Sequence, residues 1–313
     1  MRALSSKLVS GVAFICVVSC YGQNPFTPGQ YDTDWIDFSP KPDGIPLHST
    51  VYFPKSTGLF SPILFIGGMY GWASSGYYSI LLTELASRGY IVVGLDRYYP
   101  GQLDQLTSPV RSEGRQNESP SIELFFNTTQ WIKNHLSDQI VAQADWTRTS
   151  LLCHSAGCDD TLVMVNVSRT IAKASVFLDP MSFDALVLQP LNSKVKVLAS
   201  MSQLSEEKPM CCIPGTDYRK IYDLMNCTKV RMQVKDFGHC DIMDDLLWDV
   251  CHSANACRTT NNTRLETYRT FAAGVIHGFL QWTIYGNTGM QKYVTNQAYM
   301  PLPLVDLAFD LNC

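Results

Sequence analysis

The chain has 313 residues, 46% of them hydrophobic and 17% charged, with a formal net charge of −4. That composition belongs to a globular chain rather than a disordered one. The acidic balance, with no basic run, leaves no electrostatic footprint for nucleic acid. The length accommodates two small domains, or one α/β domain built on a single large sheet.

Arg2 and Lys7 flank the start of a short apolar stretch, Leu8 to Val18, and the small residues Cys20 and Gly22 stand at −3 and −1 of a cleavage site before Gln23. Residues 1–22 therefore read as a signal peptide, its apolar part too short for a comfortable span. Residues 23–313 are expected to form one α/β domain with an extended N-terminal arm and a disulfide-rich C-terminal third. No later segment is apolar enough to cross a bilayer.

Residues 23–47 are rich in Pro, Gly, Asp and Tyr and read as the arm, with a hairpin. Ser49 to Pro54 is a short strand that stops at its proline. The apolar run Pro62 to Ile66 suits a parallel strand covered on both faces. It opens into Gly67-Gly68-Met69-Tyr70-Gly71, where glycines let the backbone approach a ligand closely. Tyr78, Ile80, Leu81, Leu82, Leu85 and Ala86 mark one face of a helix over 77–88, closed by Gly89. Tyr90 to Asp96 is the next buried strand, and 97–121 is a polar loop. A helix follows over 122–140, with Leu124, Phe125, Trp131, Ile132 and Leu136 on its buried side. Ser150-Leu151-Leu152 then leads into Cys153-His154-Ser155-Ala156-Gly157-Cys158, and a helical run begins at Asp159. Strands over 174–180, 194–200 and 229–234 come next, the last running into Asp236-Phe237-Gly238-His239, and a helix spans about 263–285. Strands alternating with helices imply an α/β architecture with a mostly parallel, doubly wound sheet and helices on both faces.

In such sheets functional groups gather beyond the carboxyl ends of the strands. Met69, Ser155, Asp179 and His239 all fall at such ends. Strand, sharp turn with a central Ser, then helix is the context of a G-x-S-x-G nucleophile elbow, with Cys153 in place of the first glycine. A serine hydroxyl needs a base, an exposed turn and donors for an oxyanion. The backbone N–H groups of Ala156 and Met69 are the candidate donors. Of the six histidines, only His239 follows a late strand on a glycine-containing loop, which makes it the candidate base. Asp179 leads the candidates for the acid; Glu206, Glu207, Asp184 and Asp236 stay open. Tyr70, Trp72, Tyr77, Tyr98, Met181 and Phe183 lie on loops near the strand ends and suggest an apolar, aromatic pocket. The chemistry requires no metal and no organic cofactor.

Sequons begin at Asn117, Asn127, Asn166, Asn226 and Asn261, which together with the signal peptide point to a secreted glycoprotein. Most cysteines beyond Gly22 should pair in that compartment. Cys153 and Cys158 read as buried small residues. The other seven, Cys211, Cys212, Cys227, Cys240, Cys251, Cys257 and Cys313, are odd in number, so at least one lies outside any bridge among them. They form no paired C-x-x-C arms, and no metal site is expected.

From Phe53 to Trp282 the chain resembles the chlorophyllase family of α/β-hydrolases, with a weaker similarity to platelet-activating-factor acetylhydrolases and polyester hydrolases. The resemblance rests on Ile63 to Met69, Cys153-His154-Ser155-Ala156-Gly157, Leu178-Asp179-Pro180 and, most specifically, Asp236-Phe237-Gly238-His239-Cys240-Asp241-Ile242-Met243-Asp244-Asp245. The family's stretches are H-G-Y, G-H-S-R-G-G, V-D-P-V-D-G and D-Y-G-H-x-D-M-L-D-D. Membership implies a Ser155–Asp179–His239 triad, because the family's acid follows this same strand, and hydrolysis of a hydrophobic ester through an acyl-enzyme. Gly67, Cys153, Ala156 and Cys158 depart from the pattern, standing for His, Gly, Arg and Gly. They alter the pocket wall, and the signal peptide suits an extracellular relative. A lipase or phospholipid-acetyl hydrolase on the same triad, and a non-catalytic binding or matrix protein that keeps the fold, are the other readings.

Overall fold

The structure is a computed structural model and describes residues 24–97, 120–168 and 170–313. The expected signal peptide, Tyr98 and Asn117 lie outside these. Ten strands build one sheet: β1 (Thr33–Phe38), β2 (Ser49–Pro54), β3 (Gly58–Ile66), β4 (Tyr90–Gly94), β5 (Ala142–Ala144), β6 (Ser150–His154), β7 (Ala174–Leu178), β8 (Lys196–Ser202), β9 (Lys229–Val234) and β10 (Leu304–Asp310). Their order is β1-β2-β4-β3-β6-β7-β8-β9-β10, with β5 paired to β3. The six strands from β4 through β9 in this order run parallel, β2 and β10 run antiparallel to them at either side, and β1 pairs antiparallel with β2.

The middle strands carry apolar side chains on both faces, so both faces need cover. Ile63, Phe65, Val92, Leu152, Val176 and Leu178 point to one side. There they pack with α1 (Ser79–Ser87) and, later in the chain, the long helix 265–283. Their neighbours Leu64, Ile66, Ile91, Val93, Leu151 and Phe177 point to the other side. That side is covered by α2 (Pro120–His135), α3 (Gly157–Val167) and α4 (Tyr218–Leu224). Helices α5 (Asp245–Ser253) and α6 (Leu265–Thr283) complete the first layer. No helix among the described residues is long and apolar enough to cross a membrane.

The arm is held rather than loose. Phe26 stacks on Phe271 of α6 at 5.6 Å, and the buried Arg88 guanidinium donates to the carbonyls of Pro25 and Thr27. The hairpin expected within 23–47 reaches further: β1 pairs antiparallel with β2, whose residues lie beyond the arm. Strand β10 was not foreseen, because its residues are only half-buried and lack a clear alternation. Tertiary pairing with the edge of β9 makes it a strand, and the Cys227–Cys313 bridge secures the tail beyond it.

Three further bridges join Cys153 to Cys158, Cys211 to Cys257 and Cys240 to Cys251. The first corrects the expectation that Cys153 and Cys158 are merely small buried residues. They sit at the end of β6 and the start of α3 with Cα atoms 5.0 Å apart, close enough to bridge. Cys212 is the cysteine left over, a buried thiol whose pKa burial pushes up to about 12.

Loop-closure entropy ranks these bridges. Cys227 and Cys313 lie 86 positions apart and Cys153 and Cys158 only 5. Replacing the first pair by alanine should cost about 4.5 kcal/mol, and the second pair about 2 kcal/mol. Urea unfolding of the two double variants checks this, and the reverse ranking would contradict it.

Candidate active site

Ser155 sits on the turn between β6 and α3 at φ +55°, a left-handed conformation that costs a non-glycine residue about 1–3 kcal/mol. Three backbone bonds hold it there. Its N–H donates to the Leu178 carbonyl at 3.1 Å, and its own carbonyl accepts from Cys158 and Met181, each at 3.1 Å. The Cys153–Cys158 bridge spans the same turn. Gly157 must lack a side chain, because a Cβ there would lie 2.2 Å from the Gly67 carbonyl oxygen. That close approach presses the elbow against the loop after β3.

The loop itself is strained at two consecutive residues, Met69 at φ 53° and Tyr70 at φ 58°. Bonds from Gly71 to Gly67 and from Ala73 to Gly68 brace it. Met69 is the second residue of a one-turn helix (Gly68–Gly71) and Ala156 is the N-cap of α3, positions whose N–H groups have no acceptor within the helix. Both expected oxyanion donors therefore lie at helix starts on the two segments that Gly157 brings together.

His239 places Nε2 2.9 Å from Ser155 Oγ. The imidazole is buried, which pushes its pKa down to about 4 and leaves it neutral at physiological pH. Its turn is built by Asp241. That carboxylate accepts from the N–H of Gly238 at 2.7 Å, the N–H of Thr260 at 2.9 Å and the indole of Trp248 at 2.8 Å. A Cβ on Gly238 would meet the Arg258 carbonyl oxygen at 1.8 Å, so that position too requires glycine.

Asp179 directly follows β7, is 1% exposed and has φ +40°. Oδ1 accepts from the N–H of Ser202 and the hydroxyl of Ser205, both at 2.8 Å, and Oδ2 from the Ser202 hydroxyl at 2.7 Å. Burial outweighs these donors and raises its pKa to about 6. His239 Nδ1 makes no hydrogen bond in this structure. The other acid candidates lie apart from it in character. Glu206 pairs with Arg219 at 2.6 Å, Glu207 with Arg258 at 3.5 Å and Asp236 with Arg264 at 3.9 Å, all partly or largely exposed. Asp184 is half-buried at the start of a one-turn helix.

Of the expected pocket residues, Tyr70, Trp72, Tyr77, Met181 and Phe183 are half-buried, and Tyr77 packs on the core. Ser202, Ser205 and Asp241, which support these groups, and Tyr78 are not among the residues expected at the site. Asp241 alone carried a signal, its place two residues after His239. Two cavities, of about 330 and 430 Å³, lie elsewhere, one under the arm beside Arg88 and His277, the other ringed by Arg148, Lys173, Lys194 and Lys196. The sulfurs of Cys240, Cys251 and Cys257 lie within 4.8 Å of one another, but each belongs to a disulfide and offers no thiolate to a metal.

Gly157→Ala should break the contact between the elbow and the loop. We expect a loss of at least ~2 kcal/mol in urea unfolding, together with loss of any activity at Ser155. Wild-type stability in this variant would show that the close approach is not tight.

A chlorophyllase family model matches residues 22–310. Chlorophyllase-1 of Arabidopsis thaliana is 25% identical over 262 residues, covering 74% of this chain and 75% of that protein. The chloroplastic chlorophyllase-1 of Citrus sinensis is 23% identical over 307 residues, covering 89% and 86%, and that of Citrus unshiu is 22% identical over the same length. The mostly parallel sheet, the strand-end site and the family match agree: the chain has an α/β-hydrolase fold and belongs to the chlorophyllase family.

Proposed function

We propose that this protein is a secreted serine carboxylic-ester hydrolase acting on a hydrophobic ester. The observation that carries the reading is the 2.9 Å contact between His239 Nε2 and Ser155 Oγ, on a turn strained in the manner of a nucleophile elbow. His239 takes the Ser155 proton as the hydroxyl attacks the ester carbonyl. The N–H groups of Met69 and Ala156 stabilise the oxyanion, worth about 2.7–4 kcal/mol for one such donor. The alcohol leaves with the proton held by His239, and water then hydrolyses the acyl-enzyme by the same route. Asp179 is the acid in this reading, as the only fully buried candidate and the one at the family's strand. Its bond to Nδ1–H forms as the imidazole becomes charged, since catalytic hydrogen bonds tighten on the way to the transition state.

Half-buried Tyr70, Trp72, Tyr77, Met181 and Phe183 favour an apolar acyl or alcohol group, and Tyr98 is assigned to the same wall by its place in the sequence. The curated relatives are named as chlorophyllases. Ala156 in place of the family's Arg reshapes the wall beside Ser155, so a smaller lipid-like ester is the competing substrate. Secretion is supported by four disulfides and by the exposure of Asn127, Asn166, Asn226 and Asn261.

The test is hydrolysis of p-nitrophenyl butyrate by the secreted protein. Ser155→Ala should abolish it, and Asp179→Asn should lower kcat by about 10³–10⁴-fold. Glu206→Gln and Glu207→Gln should stay within twofold of wild type. Activity surviving in Ser155→Ala would overturn the assignment. Release of phytol from chlorophyll, compared with hydrolysis of lipid micelles, then separates the substrate classes.

The pH dependence follows from the two buried groups. His239 must be neutral, which holds above about pH 4, and Asp179 must be ionised, which holds above about pH 6. Activity is therefore half lost near pH 6, where Asp179 takes up its proton, and fully lost by about pH 4. An unburied histidine would set this limb near pH ~6.5. A midpoint of kcat/KM at or above 7 would contradict the burial argument.

A further inference from the structure

His154, beside the nucleophile, is spent on something other than filling space. It is the last residue of β6 and is 1% exposed. Its Nε2 lies 3.0 Å from the carbonyl oxygen of His239. Its Nδ1 lies 2.8 Å from the hydroxyl of Tyr78, itself fully buried. The Tyr78 hydroxyl in turn lies 3.0 Å from the N–H of Gly68.

The direction of every bond in this chain is fixed by chemistry. A carbonyl oxygen only accepts, so His154 Nε2 carries the hydrogen. The neutral ring then has a bare Nδ1, which accepts from the Tyr78 O–H. The Tyr78 oxygen is left as the acceptor for the Gly68 N–H. Donor and acceptor alternate without a fault from Gly68 to His239. Burial and the neighbouring His239 ring, 4.6 Å away between centroids, hold the His154 pKa well below the ordinary histidine value, consistent with the neutral tautomer.

The ends of this chain matter. Gly68 precedes Met69, the proposed oxyanion donor. His154 precedes Ser155. The accepting carbonyl belongs to the proposed base itself. We infer that His154 and Tyr78 are positioning residues: one buried hydrogen-bond chain, Gly68–Tyr78–His154–His239, sets the oxyanion loop, the nucleophile and the base in a common register. The inference rests on the roles proposed above for Ser155 and His239. A chain of this kind gains its effect from being fully satisfied, and losing one member strands its buried neighbours.

The experiment compares His154→Leu, His154→Gln and Tyr78→Phe with wild type and Ser155→Ala, using p-nitrophenyl butyrate. Leucine can neither donate nor accept. Glutamine offers both an N–H for the His239 carbonyl and an oxygen for Tyr78. Phenylalanine keeps the ring of Tyr78 and removes only its hydroxyl. We expect kcat to fall by about 30-fold in His154→Leu and about 10-fold in Tyr78→Phe, with KM within threefold, and to recover at least threefold in His154→Gln relative to leucine. Tyr78→Phe leaves the packing intact, so it decides the matter if His154→Leu does not fold. A second readout needs no activity. Nitrogen-15 spectra of histidine-labelled protein should show His154 protonated at Nε2 and hydrogen-bonded at Nδ1, the latter signature lost in Tyr78→Phe.

Wild-type kcat in Tyr78→Phe, or glutamine no better than leucine, would overturn the inference while leaving the function standing, provided that Ser155→Ala is inactive. Activity retained in Ser155→Ala would instead reject the function. In that case the nitrogen-15 spectra alone would decide whether the hydrogen-bond chain exists, and protonation of His154 at Nδ1 would reject it.

Discussion

The approach of Gly157 to the carbonyl of Gly67 is the constraint on which the rest of this site depends. With no side chain at 157, α3 begins directly against the loop that follows β3, and two separate crossovers of the sheet become one surface. The left-handed backbone of Ser155 follows, because the chain must turn from β6 into that helix within two residues. The segments that carry Ala156 and Met69 are neighbours for the same reason. Such strain persists only where the surroundings over-determine it. Here that means bonds from Leu178, Cys158 and Met181, and a disulfide across the turn.

Most of this order was legible in the sequence because it follows from local pattern. Apolar runs of four to seven residues ending in Gly, Asp or Ser-Gly marked the strand ends, and a parallel sheet brings strand ends together whatever the loops do. The turn at Ser155, the glycine loop after β3 and the place of His239 after β9 are legible in this way. What escaped was fixed by tertiary contact alone. Strand β10 has a half-buried pattern that matches neither period, and only its pairing with β9 makes it a strand. The Cys153–Cys158 bridge depends on the helix starting directly after the turn, which brings two residues that read as small and buried within bridging distance. Ser202 and Ser205 give no signal, because a buried carboxylate takes its donors from whatever backbone and hydroxyls the next strand supplies.

The departures from the family pattern form a coherent set. Cys153 and Cys158 stand where the pattern has glycines, and in this chain they close a covalent ring around the elbow. Cys240, directly after His239, is joined to Cys251 of α5. Each half of the proposed Ser–His pair is therefore next to a disulfide. That arrangement suits an oxidising compartment, where thiols pair and stay paired, and it differs from the setting named for the chloroplastic relatives. Charge in the site is handled sparingly. His239 is kept neutral by burial, and Asp179 is surrounded by hydroxyl and amide donors rather than by a cation. The proposed reacting groups are thus largely shielded from water, the setting in which N–H donors act most strongly on a developing oxyanion.

The central claim is that Ser155 is an activated nucleophile. The most direct measurement is to treat the secreted protein with a fluorophosphonate, digest it and locate the adduct by mass spectrometry. The account predicts one stoichiometric adduct, on the peptide containing Ser155, formed at a rate that collapses in His239→Ala. An adduct on another serine, or no adduct on folded protein, would contradict it.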